Sequence, residues 1–261
     1  MSWPADRIPV ARNKRTSYEN FVAECPWCGK DSIFNRASDL GTFEPIDGRD
    51  VACQSADCGK PFRIIGDRVN NAHETLVLDC YELIERKHYM SCILNLAQAH
   101  EVFFSLFFRV ELLYRPFAAD PDQELAELNR LAGVLSERLE RHAFSSMRAL
   151  FLQHIVAARA PKNLVEAEKM ISALPEQPKD AKVPKDSALD SLSDAKLVPL
   201  LKSLKATDIH TCRNKVVHKR AYRPTAAEVH KHLDETGSIL FPLTDHLDLD
   251  DDINRYTMAQ P

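Results

Sequence analysis

Cys25-Pro26-Trp27-Cys28-Gly29-Lys30 and Cys53-Gln54-Ser55-Ala56-Asp57-Cys58-Gly59-Lys60, with 24 residues between Cys28 and Cys53, divide the chain into two kinds of sequence. Around these knuckles, short β-prone pieces (Phe21-Val22, Ile33-Phe34, Phe62 to Ile65) alternate with turn signals such as Asp47-Gly48. From about Ala72 onward the apolar residues recur at helical spacing. Each knuckle ends in a cysteine followed by glycine, which tolerates the turn that brings backbone N–H groups to a thiolate. Four thiolates at Cys25, Cys28, Cys53 and Cys58 suit one tetrahedral Zn²⁺ per chain and leave it no open position, so the ion is structural. A segment of roughly 70 residues with few large apolar side chains needs such help, and zinc supplies about 10–16 kcal/mol in small peptides. A disulfide pair and unrelated buried thiols are the alternatives.

The pattern resembles a zinc ribbon over residues 1–70, with a wider second knuckle. Ribbons contact RNA, DNA or protein, and the motif does not choose among them. The remaining 71–261 reads as a helical domain. Seven glycines in 261 residues argue against β-sandwiches and Gly-rich nucleotide folds, so the expected fold class is mainly α after a small β ribbon. No run of about 18 uncharged apolar residues appears and Met1 to Lys14 has no apolar core, so neither a membrane span nor a secretory signal is expected. The expected location is cytoplasmic, with reduced thiols. Cys80, Cys92 and Cys212 fall on helical segments and read as core.

Leu76 to Tyr114 is the dominant apolar stretch and reads as one helix buried on most sides, its Val102-Phe103-Phe104 and Leu106-Phe107-Phe108 runs lying in the core or a dimer interface. Asp120-Pro121 reads as the start of a helix carrying Leu125, Leu128, Leu131, Leu135 and Leu139. Further helices are expected over 145–160, 164–174, 189–205 and 208–221, and from Thr225, where Glu228 completes a capping box. Residues 175–188 read as a mobile Pro/Lys-rich loop.

Charge is uneven. Residues 200–232 hold eight Lys/Arg against two Asp/Glu, whereas residues 233–261 hold one against seven. Within the cationic block, Cys212-Arg213-Asn214-Lys215-Val216-Val217-His218-Lys219-Arg220 reads as a short helix with Ile209, Cys212 and Val216 inward and Val217 as a further inward candidate. Asn214 and His218, four apart, share a face. Arg213 and His218, five apart, point about 140° from each other, so two copies meeting across a symmetric interface would bring an Arg and a His together more naturally than one helix does.

Arg213-Asn214-x-x-x-His218, followed by a basic turn and the Pro224-Thr225 helix start, resembles the R-x4-6-H motif of the HEPN superfamily, over residues 72–245. Arg220 stands where one subfamily of it has tyrosine. The resemblance implies an all-helical homodimer and a metal-independent endoribonuclease, with Arg213, Asn214 and His218 catalytic. It also implies a toxin or anti-phage defence effector, with an antitoxin or regulatory protein as partner. Lys215, Lys219, Arg220 and Arg223 would bind the flanking RNA phosphates, and Gln98 and Glu101 are candidate polar partners. The alternative is a non-catalytic HEPN-like dimerisation or binding module whose ribbon recruits nucleic acid or protein. Residues 245–252 form an acidic tail.

Overall fold

The computed structural model describes residues 20–41, 49–64, 71–119, 124–219 and 221–249. They fall into two compact units divided between Asn71 and Ala72. The first unit holds two antiparallel hairpins: β1 (Asn20–Glu24) pairs with β2 (Asp31–Asn35), and β3 (Arg49–Ala52) with β4 (Pro61–Ile64). Strand alternation buries Ser32 and Phe34 while Asp31 and Ile33 face outward. Phe34, Leu40 and Phe62 are the large buried side chains, with the two rings 6.3 Å apart. So thin a core needs another tie, and each hairpin's turn is one of the cysteine knuckles.

The second unit is helical, and the chain is mainly α with a small N-terminal β part, as glycine scarcity implies. The expected single helix from Leu76 to Tyr114 is instead a helical hairpin, α1 (Ala72–Glu85) and α2 (Tyr89–Arg109). Lys87 takes a left-handed φ of 59°. It lets His88 N–H reach back to Leu83 O (2.7 Å) and Lys87 N–H to Ile84 O (2.9 Å), the paired bonds that close a helix C-terminus. Glycine normally marks that position; lysine hid the break.

Beyond α2 the chain continues through a π-helical turn, Val110–Tyr114, into α3 (Arg115–Ala119). Then follow α4 (Leu125–Glu140), α5 (Phe144–Ala157) and α6 (Leu164–Ala173). After them come α7 (Asp186–Asp190), α8 (Leu197–Ala206), α9 (Ile209–His218) and α10 (Ala226–His246). The Asp120-Pro121 start lies outside the described residues, and α4 begins at Leu125 as described.

Helix α2 is the axle of this unit: α1, α4, α5, α9 and α10 all pack against it. That accounts for its apolar residues exceeding one stripe. Phe103, Phe104, Phe107 and Phe108 are fully buried, and the Phe151 ring of α5 lies 5.6, 5.5 and 4.6 Å from those of Phe103, Phe104 and Phe107. The phenylalanine runs are therefore core; truncating one such ring costs about 3–5 kcal/mol. The segment Tyr89–Phe117 is long and apolar enough to cross a membrane, yet 56% of its most apolar window is buried among the other helices, the situation of a core helix.

The expected loop over 175–188 is shorter, because α7 already starts at Asp186. Side chains tie it down at successive carbonyls: His142 donates to Pro175 O, Gln153 to Lys182 O and Lys205 to Pro184 O, at 2.8, 2.7 and 2.7 Å. Residues 189–205, read as one helix, are α7 and α8 with a turn between them. The capping box at the start of α10 is present: Thr225 Oγ1 accepts from Glu228 N–H (3.2 Å), and Glu228 Oε2 accepts from Thr225 N–H (2.8 Å). Residues 250–252 of the acidic tail lie outside the described residues.

Candidate metal centre and the basic face of the motif helix

In the N-terminal unit the four cysteine sulfurs converge within 4.8 Å of one another. Cys25 and Cys58 Sγ are 3.9 Å apart, and Cys28 and Cys53 Sγ 3.7 Å. A tetrahedron of thiolates around an ion at 2.3 Å has edges of about 3.8 Å, whereas a disulfide brings sulfurs to about 2.05 Å. The separations fit a metal and none of these thiols is paired, so the disulfide alternative is overturned. Cys25, Cys28, Cys53 and Cys58 can hold a metal ion.

Local backbone explains the unequal spacing of the two knuckles. Gly29 N–H donates to Cys25 O (2.9 Å) and Gly59 N–H to Ser55 O (3.1 Å), with both glycines at left-handed φ (69° and 55°). Ser55 thus occupies the backbone place of Cys25, and the fourth thiol comes from Cys53, two residues upstream. Among the clustered thiols, the Ser55 N–H first of all draws Cys53 down to about 7, while burial and the neighbouring sulfurs, outweighing the Lys30 backbone, push Cys28 up to about 11. Polar ties lash the hairpins together. The Gln54 amide exchanges two hydrogen bonds with the Ile33 backbone (2.8 and 2.6 Å), Lys30 Nζ reaches Ser55 and Asp57 (both 3.2 Å), and Trp27 Nε1 donates to Pro61 O (2.9 Å).

In the helical unit α9 buries Ile209, Cys212 and Val216, as its spacing implies, and leaves Val217 exposed. Its other side carries Arg213, whose Nη1 donates to Asn214 Oδ1 at 3.2 Å. Asn214 therefore engages Arg213, not the His218 imidazole its spacing suggested. His218 is the last helical residue and exposed, and among the described residues its side chain makes no hydrogen bond or ion pair. The basic turn after it is held by Tyr222. The Tyr222 hydroxyl donates to Glu228 Oε1 (3.0 Å) and lies 3.4 Å from Cys212 Sγ, with Lys215 Nζ 5.6 Å from its ring. Burial first, and then Cys212 and Glu228, push the Tyr222 hydroxyl's pKa up. Lys219 is exposed, Arg223 donates to Tyr222 O (2.9 Å), and Arg220 lies outside the described residues.

Among the described residues Arg213, Lys215 and Lys219 form no ion pair. Elsewhere on this unit Arg130, Arg141, Lys202, Lys205 and Lys231 each meet a carboxylate. Lys87 and His88, at the corner between α1 and α2, line one pocket with Arg223 and Pro224. Glu101 is engaged elsewhere, accepting from Phe144 N–H (3.2 Å) at the start of α5, and Gln98 is exposed. The motif side thus presents Arg213, Lys215 and Lys219 with an exposed His218. Comparison with protein-family models, with curated proteins and with solved structures finds no match for this chain.

Proposed function

We propose that the chain is a metal-independent endoribonuclease of the HEPN kind, acting as a homodimer, with a structural zinc ribbon at its N-terminus. The observation that carries the reading is that Arg213, Lys215 and Lys219 form no ion pair among the described residues and lie on the same short helix or its exit as an accessible His218. Cations grouped on one short exposed element without ion pairs suit a polyanion.

RNA brings its own nucleophile. The 2′-hydroxyl oxygen attacks the adjacent phosphorus, its proton passing to an imidazole, and the P–O5′ bond breaks as the departing oxygen is protonated. The products are a 2′,3′-cyclic phosphate and a 5′-hydroxyl. Arg213 stays charged throughout and stabilises the crowded phosphoryl oxygens. Its direction, about 140° from His218 around α9, favours a site assembled from two copies. Lys215, Lys219, Arg220 and Arg223 would hold flanking phosphates. Zinc fits the four-thiolate centre by its sulfur spacing, and its contribution there is to folding.

The test is cleavage of mixed cellular RNA by zinc-loaded protein in Mg²⁺-free buffer, beside His218→Ala and Arg213→Ala, with end-group analysis. Loss of an imidazole acid–base group should slow cleavage by about 10²–10⁴-fold, and the wild-type fragments should end in cyclic phosphate. Cleavage that both variants retain would place any activity elsewhere. No cleavage by a folded, metal-loaded dimer would favour the non-catalytic binding module.

A further inference from the structure

Asp208, the residue preceding α9, meets His232 and Glu235 of α10 in a second cluster of metal-ligand chemistry. His232 Nδ1 lies 3.9 Å from Asp208 Oδ1 and 3.5 Å from Glu235 Oε2. His232 is only 4% exposed, and neither its Nδ1 nor Glu235 Oε2 has a hydrogen-bond partner. A buried ring nitrogen aimed at two carboxylate oxygens, with no bond satisfying it, is costly as it stands. These separations are close to the edge of about 3.4 Å expected between ligands of a four-coordinate ion at 2.0–2.1 Å.

We propose that Asp208, His232 and Glu235 form a binding site for a first-row divalent transition metal, Mn²⁺ or Zn²⁺. One imidazole and two carboxylates match such ions better than they match Mg²⁺ or Ca²⁺, which take oxygen donors, or a soft ion that wants thiolate. Asp208 is exposed, so water completes the shell from the open side. One cation touches the cluster, and another holds the backbone beside it. Lys231 Nζ holds Asp208 Oδ1 at 3.3 Å, but is itself exposed and can swing out. Arg148 donates to Leu204 O and Thr207 O (3.4 and 2.9 Å), immediately before Asp208. The ion fastens the start of α9 to α10 and needs no part in catalysis, so this site stands whether or not the nuclease reading does.

The test uses the full chain with its cysteines loaded with Zn²⁺ and the protein then titrated with Mn²⁺, which avoids thiolates, by electron paramagnetic resonance. Saturation at one Mn²⁺ per chain, with a rise in melting temperature, is expected. Asp208→Asn and Glu235→Gln, which keep shape and remove charge, should abolish saturable uptake while circular dichroism stays unchanged. Lys231→Ala should tighten binding by removing the competing cation. Absence of saturable Mn²⁺ in the wild type, uptake unchanged in both carboxylate variants, or binding weakened by Lys231→Ala would each overturn the site.

Discussion

Mild acid should unfold the helical unit, for a reason lodged in three histidines. His73 Nε2 lies 2.8 Å from Thr244 Oγ1, whose own proton goes to Leu240 O (2.9 Å). His73 must therefore donate from Nε2, which leaves Nδ1 bare and buried without a partner. His100 donates from Nδ1 to Leu96 O (3.0 Å), leaving its Nε2 equally bare. His154 stands edge-on to the rings of Phe107 and Phe108 at 5.4 and 5.7 Å. Burial, the leading cause in each case, holds the three down at about 3, 4 and 4. Their folded values lie below the unfolded value near 6.5, so this stability is complete above pH 6.5. It falls with pH as the unfolded chain takes up protons the folded chain refuses. Each histidine costs about 1.4 kcal/mol per pH unit in that window, so the three together cost about 4 kcal/mol per unit and about 6 kcal/mol by pH 5. That is comparable with the whole stability of an ordinary domain. Urea unfolding of the zinc-loaded chain from pH 7 to 5, followed by helical circular dichroism, measures the slope directly. His154→Phe, which suits the surrounding rings, should cut it by about one third. A midpoint that stays level between pH 7 and 5, or a slope indifferent to His154→Phe, would refute the argument.

Two smaller perturbations follow from the backbone and the thiols. Lys87→Gly should stabilise the α1–α2 corner by about 0.5–1 kcal/mol, since a left-handed non-glycine costs about 1–2 kcal/mol and glycine's extra chain entropy returns part of it; chemical denaturation would detect this, and a destabilised variant would contradict it. Cys58→Ser should lose the metal of the N-terminal unit and expose the amides of 20–41 and 49–64 to hydrogen exchange while α2 keeps its protection, and unchanged protection of those amides would contradict this.

What the sequence disclosed tracks how local each signal is. The cysteine quartet was legible because ligand spacing is written in consecutive residues, and the Thr225–Glu228 box because a cap spans four. Leu128, Leu131, Leu135 and Leu139 advertised α4 by period alone, and all four are buried. The break at Lys87 was illegible because its left-handed turn is made by a residue that seldom makes one. α7 was lost in a stretch rich in proline and lysine, since five residues are too few to show a period. Asp208 and His232 stand 24 positions apart, and only the fold brings them into register; read along the chain, His232 has no ligand-like company.

The segment bearing Arg213 and His218 is strung between two posts on a single helix. At one end Lys231 and His232 stand beside Asp208; at the other Glu228 grips the Tyr222 hydroxyl. Both posts belong to the first two turns of α10, so whatever tilts or frays those turns moves both ends of the motif at once. The geometry of the basic face is therefore tied to eight residues, Thr225 to His232.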